Sequence, residues 1–250
     1  MKSLIVANWK MNPPTFKEAR ALFEATKKIA DILKDTSIIV APPIVFLRGL
    51  TSVYRGKKIT FAVQHAHFES SGSFTGEVSL VQAQDAGASY VIVGHAERRS
   101  RGETNDDTKK KVAGAIKLGI SPILCIGEMV RTHDGTHFAY IRDQILAGFA
   151  DVVPAKIPRV IVAYEPVWAI GAETGMAPSG MHEMAIFIRK TIVELYGPKG
   201  MKVQILYGGA IDNTNAEAMM RNGDINGLLV GRASIDSKKF TSLAYAIKNI

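Results

Sequence analysis

A chain of 250 residues that is 47% hydrophobic and 22% charged has room for a large core and falls outside the disordered and fibrous classes. Its one cysteine, Cys125, excludes an intrachain disulfide and cysteine-built metal sites, and no apolar run approaches the roughly 20 residues that cross a bilayer. The net charge of +8 is spread along the chain without aromatic interleaving, so it reads as a solvated surface that steers small anions, with neither nucleic acid nor a membrane as partner.

The stretch Met1–Ala7 is too short and poorly patterned for a secretory signal, so the expected compartment is the cytoplasm. The first β-rich run, Leu4–Asn8, leads into "NWKMN" and then an amphipathic stretch, Phe16–Leu33, apolar at Ala19, Leu22, Phe23, Ile29, Ile32 and Leu33. Ser37–Ala41 and Ile59–Val63 follow, and Ser79–Gly87 reads as a helix closed by glycine. The fourth run, Tyr90–Gly94, passes into "HAERR", and the fifth is Ser121–Gly127. The sixth, Val160–Glu165, exits into a proline-stiffened apolar loop, after which Met181–Gly197 reads as a helix. Val203–Gly209 and Gly227–Gly231 complete eight runs.

These runs are apolar throughout rather than alternating, as strands of a parallel sheet covered by helices are. Eight βα units without a linker or composition shift predict an α/β chain forming one (β/α)8 barrel domain over residues 1–250. The runner-up, an open doubly wound sheet, lacks the strand-linked G-x-G-x-x-G turn.

Functional groups in such a barrel gather where strands end. The first exit carries Asn8 and Lys10, the fourth His95 and Glu97, and the sixth Glu165. The last two carry "YGG" (Tyr207–Gly209) and "VGR" (Val230–Arg232). Taken singly, Lys10 is a surface lysine, His95 a satisfied structural histidine and Glu165 an ion-pair partner. A base, an imidazole, an ammonium and an amide together on one rim instead point to a functional site. Gly171, Gly208, Gly209 and Gly231 offer unhindered backbone N–H groups suited to an anion cradle. His65, His67, His133, His137 and His182 lack metal-ligand spacing. Cys125 and Met129 read as core or near-core residues.

The motifs "ANWKMN", "QHAHFESSGSFTGEVS", "GHAERR", "CIGE", "AYEPVWAIG" and "YGG", in this order, make the chain resemble the triosephosphate isomerase family over essentially its whole length. The resemblance implies a TIM barrel that interconverts dihydroxyacetone phosphate and glyceraldehyde 3-phosphate with neither metal nor organic cofactor. It makes Glu165 the base, His95 the neutral polariser of the carbonyl, and Lys10 the positive charge beside the oxyanion, oriented by Asn8 and held by Glu97; the glutamate and histidine roles are the standard illustration of this family's chemistry. It makes Pro166–Gly171 the start of a lid, with Gly171, Ala210, Gly231 and Arg232 at the substrate phosphate. It also implies a homodimer in which Thr75 reaches the partner's site.

The sequence departs from the family's pattern at Ala96 and Ala210, where serine is usual, and at Arg232, where glycine is. It departs again at Ala172, Glu173 and Thr174, where Thr-Gly-Lys is preferred. Glu173 and Arg232 either pair when the lid closes or reflect drift on a tolerant surface. An offshoot acting on a four-carbon or branched ketose phosphate, and a noncatalytic phosphate-ligand binder, are the alternatives.

Overall fold

A computed structural model of the chain describes residues 2–170 and 175–250. Strands β1 (Ser3–Asn8), β2 (Thr36–Ala41), β3 (Ile59–Val63), β4 (Tyr90–Val93), β5 (Ser121–Ile126), β6 (Ile161–Tyr164), β7 (Gln204–Tyr207) and β8 (Gly227–Val230) pair in parallel in chain order. β1 also pairs with β8, from Leu4↔Gly227 to Ala7↔Val230, which closes the barrel. Closure removes the sheet edges.

Period-2 alternation then divides each strand between two apolar cores. Leu4 and Val6 of β1 join Ile39, Ile92, Ile123 and Leu206 in a cluster drawn from the strands, while Ile5 and Ala7 join the larger cluster beneath the helices. Both faces of every strand are covered, which is why the runs read as apolar throughout. Cys125 belongs to the strand cluster and is fully buried.

The helices start and stop on local chemistry. α1 (Phe16–Ile32) begins after Thr15, whose hydroxyl accepts from Glu18 N at 3.3 Å. α2 (Ile44–Thr51) and α3 (Leu80–Asp85) lead to a four-residue turn of helix, α4 (Ala96–Arg99), just past β4. α5 (Asn105–Leu118) has a reciprocal cap between Thr104 and Asp107 and ends at left-handed Gly119. α6 (Thr136–Phe149), α7 (Pro178–Tyr196), α8 (Ala216–Asn222) and α9 (Ser237–Ile247) complete the outer layer. α7 starts before the expected Met181, because a proline at the first helical position lacks only an N–H that would be unpaired there anyway.

Two expectations shift at the rim. β6 stops at Tyr164, one residue before Glu165, although Glu165 N still donates to Ile126 O at 2.7 Å and holds the backbone to the sheet. Met129 is 62% exposed and is no core residue. It lies past the end of β5, where the chain has left the barrel.

A partly buried charge cluster follows β3 and β4. Glu103 accepts from the Lys111 ammonium at 3.0 Å. His65 Nε2 lies 3.0 Å from Glu77 Oε2 and 3.2 Å from Arg98 Nη2, and its Nδ1 lies 3.5 Å from Lys111 Nζ. Burial, then the Lys111 and Arg98 charges, push the His65 pKa below its ordinary 6.5. The unfolded chain takes up this proton first, so the contribution to stability is complete above the ordinary value and declines as pH falls from there toward the lowered one. We expect the melting temperature to fall between about pH 7.5 and about pH 5.5, and His65→Gln to flatten that fall. Thermal melts showing equal slopes would contradict it.

Candidate active site

Lys10 has φ 53, a left-handed conformation that a non-glycine residue adopts at a cost of roughly 1–3 kcal/mol. Two amides offset this cost. Lys10 N donates to Asn8 Oδ1 at 3.0 Å, and Gln64 Nε2, at the exit of β3, donates to both Lys10 O and Ala41 O at 2.8 Å. The clamp fixes where the side chain leaves the rim. Its ammonium then meets the Glu97 carboxylate in a close ion pair. Burial acts to raise the Glu97 pKa, but the Lys10 hydrogen bond and charge prevail and hold it below its ordinary value.

Past β4, Gly94 takes φ 72 and turns the chain so that His95 caps α4. Glu97 N donates to His95 Nδ1 at 3.1 Å. A ring nitrogen that accepts carries no proton, so the neutral ring bears its proton on Nε2. That atom lies 3.2 Å from Glu165 Oε1. The other carboxylate oxygen accepts from Ala96 N at 3.1 Å. Glu165 is only 2% exposed, and the Ala96 N–H bond with the His95 ring close by offsets the cost of burying its carboxylate.

The base fits against bare backbone. A Cβ at Gly127 would stand 1.8 Å from Glu165 O, and one at Gly208 would stand 2.8 Å from Glu165 Cγ. The first obstacle is main chain and cannot rotate away. Gly127→Ala is therefore expected to cost about 3 kcal/mol or more by forcing β5 and β6 apart. A denaturant midpoint matching the parent's would contradict the close packing.

These groups share a cavity of about 270 Å³ at the C-terminal end of the barrel, lined also by Ile170, Gly208, Gly209, Ala210, Ile211, Leu229, Gly231 and Arg232. It brings together ten of the expected residues: Asn8, Lys10, His95, Glu97, Glu165, Gly208, Gly209, Ala210, Gly231 and Arg232. A Cβ at Gly231 would lie 3.3 Å from Lys10 Cε, so that glycine leaves room for the lysine stem. Gly171 and Glu173 lie outside the described residues, and the expected pairing of Glu173 with Arg232 lies there with them. Thr75 is exposed and does not line this cavity. Among the described residues no three His, Cys, Asp or Glu side chains converge on a metal position. Among them, too, no helix is long and apolar enough to cross a membrane.

The start of the loop after β6 is held by a residue to which sequence reasoning gave no role. Glu128, fully buried, accepts from Tyr164 Oη at 2.8 and 2.9 Å and from Trp168 Nε1 at 3.0 Å. Val167 N donates to Glu128 O at 2.9 Å, and the Arg131 guanidinium stands 3.6 Å from the carboxylate. Burial, followed by the Glu128 charge, pushes the Tyr164 pKa well up, so the phenol stays a donor. Gln64 was missed in the same way. Both stand at strand exits and inside motifs already singled out, "QHAHFESSGSFTGEVS" and "CIGE", which are the signals that could have marked them.

The family model described as triosephosphate isomerase matches residues 3–247. A triosephosphate isomerase of Citrifermentans bemidjiense is 40% identical over 245 residues, covering 97% of each chain. One of Aquifex aeolicus is 38% identical over 248 residues, covering 98% of this chain and all of its own. One of Endomicrobium trichonymphae is 38% identical over 244 residues, covering 97% of each.

Proposed function

The chain belongs to the triosephosphate isomerase family, and on that premise we propose that it interconverts dihydroxyacetone phosphate and D-glyceraldehyde 3-phosphate by proton transfer through Glu165. The observation that carries this reading is the buried Glu165 carboxylate 3.2 Å from His95 Nε2, in one cavity with Lys10.

A substrate carbonyl entering the cavity takes His95 Nε2–H as its donor, which releases Glu165 Oε1 to receive the carbon-bound proton beside that carbonyl. The electron pair of the broken C–H bond becomes the enediolate double bond, and the negative charge moves to the carbonyl oxygen. Lys10, placed by Asn8 and Glu97, stabilises that oxygen in a site where water no longer screens it. His95 moves a proton between the two oxygens, and Glu165 returns its own to the neighbouring carbon. The phosphate lies past β7 and β8 against Gly171, Ala210, Gly231 and Arg232. Neither a metal nor an organic cofactor enters these steps.

The loop from Pro166 onward covers the intermediate, with Trp168 leaving or keeping its bond to Glu128 as the cover moves. The active form is a cytoplasmic homodimer in which the exposed loop bearing Thr75 reaches the partner's site, and the reaction places it in glycolysis and gluconeogenesis. Ala210 and Arg232 at the cavity wall favour one second reading, an offshoot acting on a four-carbon or branched ketose phosphate. Assays coupled to each product separate the two. Turnover of glyceraldehyde 3-phosphate far above that of erythrulose phosphates supports the first reading, and the reverse order removes it.

A further inference from the structure

Resting on the reading that this cavity takes a phosphate, we propose that the Arg232 side chain is its principal phosphate anchor, a specificity-determining residue that holds a phosphoryl dianion, free inorganic phosphate included. Arg232 opens the short 3-10 turn Arg232–Ile235 directly after β8 and lines the cavity beside Ala210 and Gly231. Ala210 brings a methyl group where a hydroxyl would have donated. The other lining cation, Lys10, is committed to Glu97. Among the described residues no carboxylate makes an ion pair with Arg232.

Charge balance follows from these placements. Lys10 and Glu97 cancel, which among the described residues leaves Glu165 at the β6 exit and Arg232 at the β8 exit as the charges of the lining without an opposite partner. An incoming dianion is repelled from the first and drawn to the second. The substrate is thereby oriented with its phosphate at Arg232 and its carbonyl at His95. A guanidinium suits this task because its planar fork meets two phosphate oxygens at once and is weakly hydrated. A backbone N–H carries no net charge, so a site built on Arg232 recognises ionisation state more than shape.

The test titrates inorganic phosphate calorimetrically into the full chain and into Arg232→Ala, Arg232→Lys and Glu173→Gln, at low and at raised salt. The parent is expected to bind with an affinity that falls as salt rises. Arg232→Ala should weaken binding by about tenfold or more and lose most of the salt dependence, with Arg232→Lys between them. Glu173→Gln should stay within about twofold of the parent. Parent-like binding by Arg232→Ala overturns the proposal, as does a tenfold gain in Glu173→Gln, which would show the guanidinium already engaged. Triose phosphate turnover by the parent, measured alongside, keeps the two readings apart. No turnover with the Arg232 effect intact removes the isomerase reading alone, whereas turnover with no Arg232 effect removes the anchor alone.

Discussion

Glu165→Gln is expected to lower kcat by about 10³-fold or more while leaving the melting temperature close to the parent's. The amide has the carboxylate's shape, and its oxygen can still accept from Ala96 N or from His95 Nε2. It also relieves a buried negative charge, so the fold has little to lose. What it cannot do is take a proton from carbon. The loss should therefore fall on kcat and kcat/KM together, with KM little changed, as for a group whose role is confined to the transition state. A variant retaining a tenth of parental activity would show that the base is another residue.

Lys10→Met is the second large effect, with a loss of about 10²- to 10³-fold in kcat/KM. Methionine keeps the apolar stem beside Gly231 and removes the ammonium. Glu97 then faces the cavity with its charge unopposed, where an incoming dianion meets it as well as Glu165. Both binding and the developing oxyanion suffer, so KM should rise while kcat falls. The backbone clamp from Asn8 and Gln64 engages main-chain atoms only, which predicts little change in stability. Kinetics within threefold of the parent would contradict the electrostatic role. Removing Glu97 together with Lys10 should recover part of the binding loss, because the two act as a pair.

The barrel was readable in the chain because its strands are buried on both faces. Leu4 and Ile5 serve opposite cores and are both apolar, so the run stands out without any helix being located. The rim was readable for the converse reason. Asn8, His95 and Glu165 are polar residues at the ends of apolar runs, and a parallel barrel carries all such ends to one face.

The rest depended on direction, which residue type does not encode. Met129 is apolar, but nothing in "CIGEM" says that the chain has left the barrel by that point. Glu128, one residue earlier, turns inward to Tyr164 and Trp168, far along the sequence. Gln64 has its role because β3 ends beside the loop after β1, and no local signal announces the two carbonyls it binds. The His65 cluster gathers Glu77, Arg98, Glu103 and Lys111 from separate stretches, each an ordinary surface charge when read alone.

The most direct test of proton transfer through Glu165 is isomerisation of D-glyceraldehyde 3-phosphate in deuterium oxide, with the product read by proton NMR. A carboxylic acid holding the abstracted proton returns it or first exchanges it with solvent, so part of the dihydroxyacetone phosphate formed should carry deuterium at C1. Glu165→Gln should form neither labelled nor unlabelled product at a comparable rate. Formation of labelled or unlabelled product by Glu165→Gln at the parent's rate would contradict proton transfer through this base.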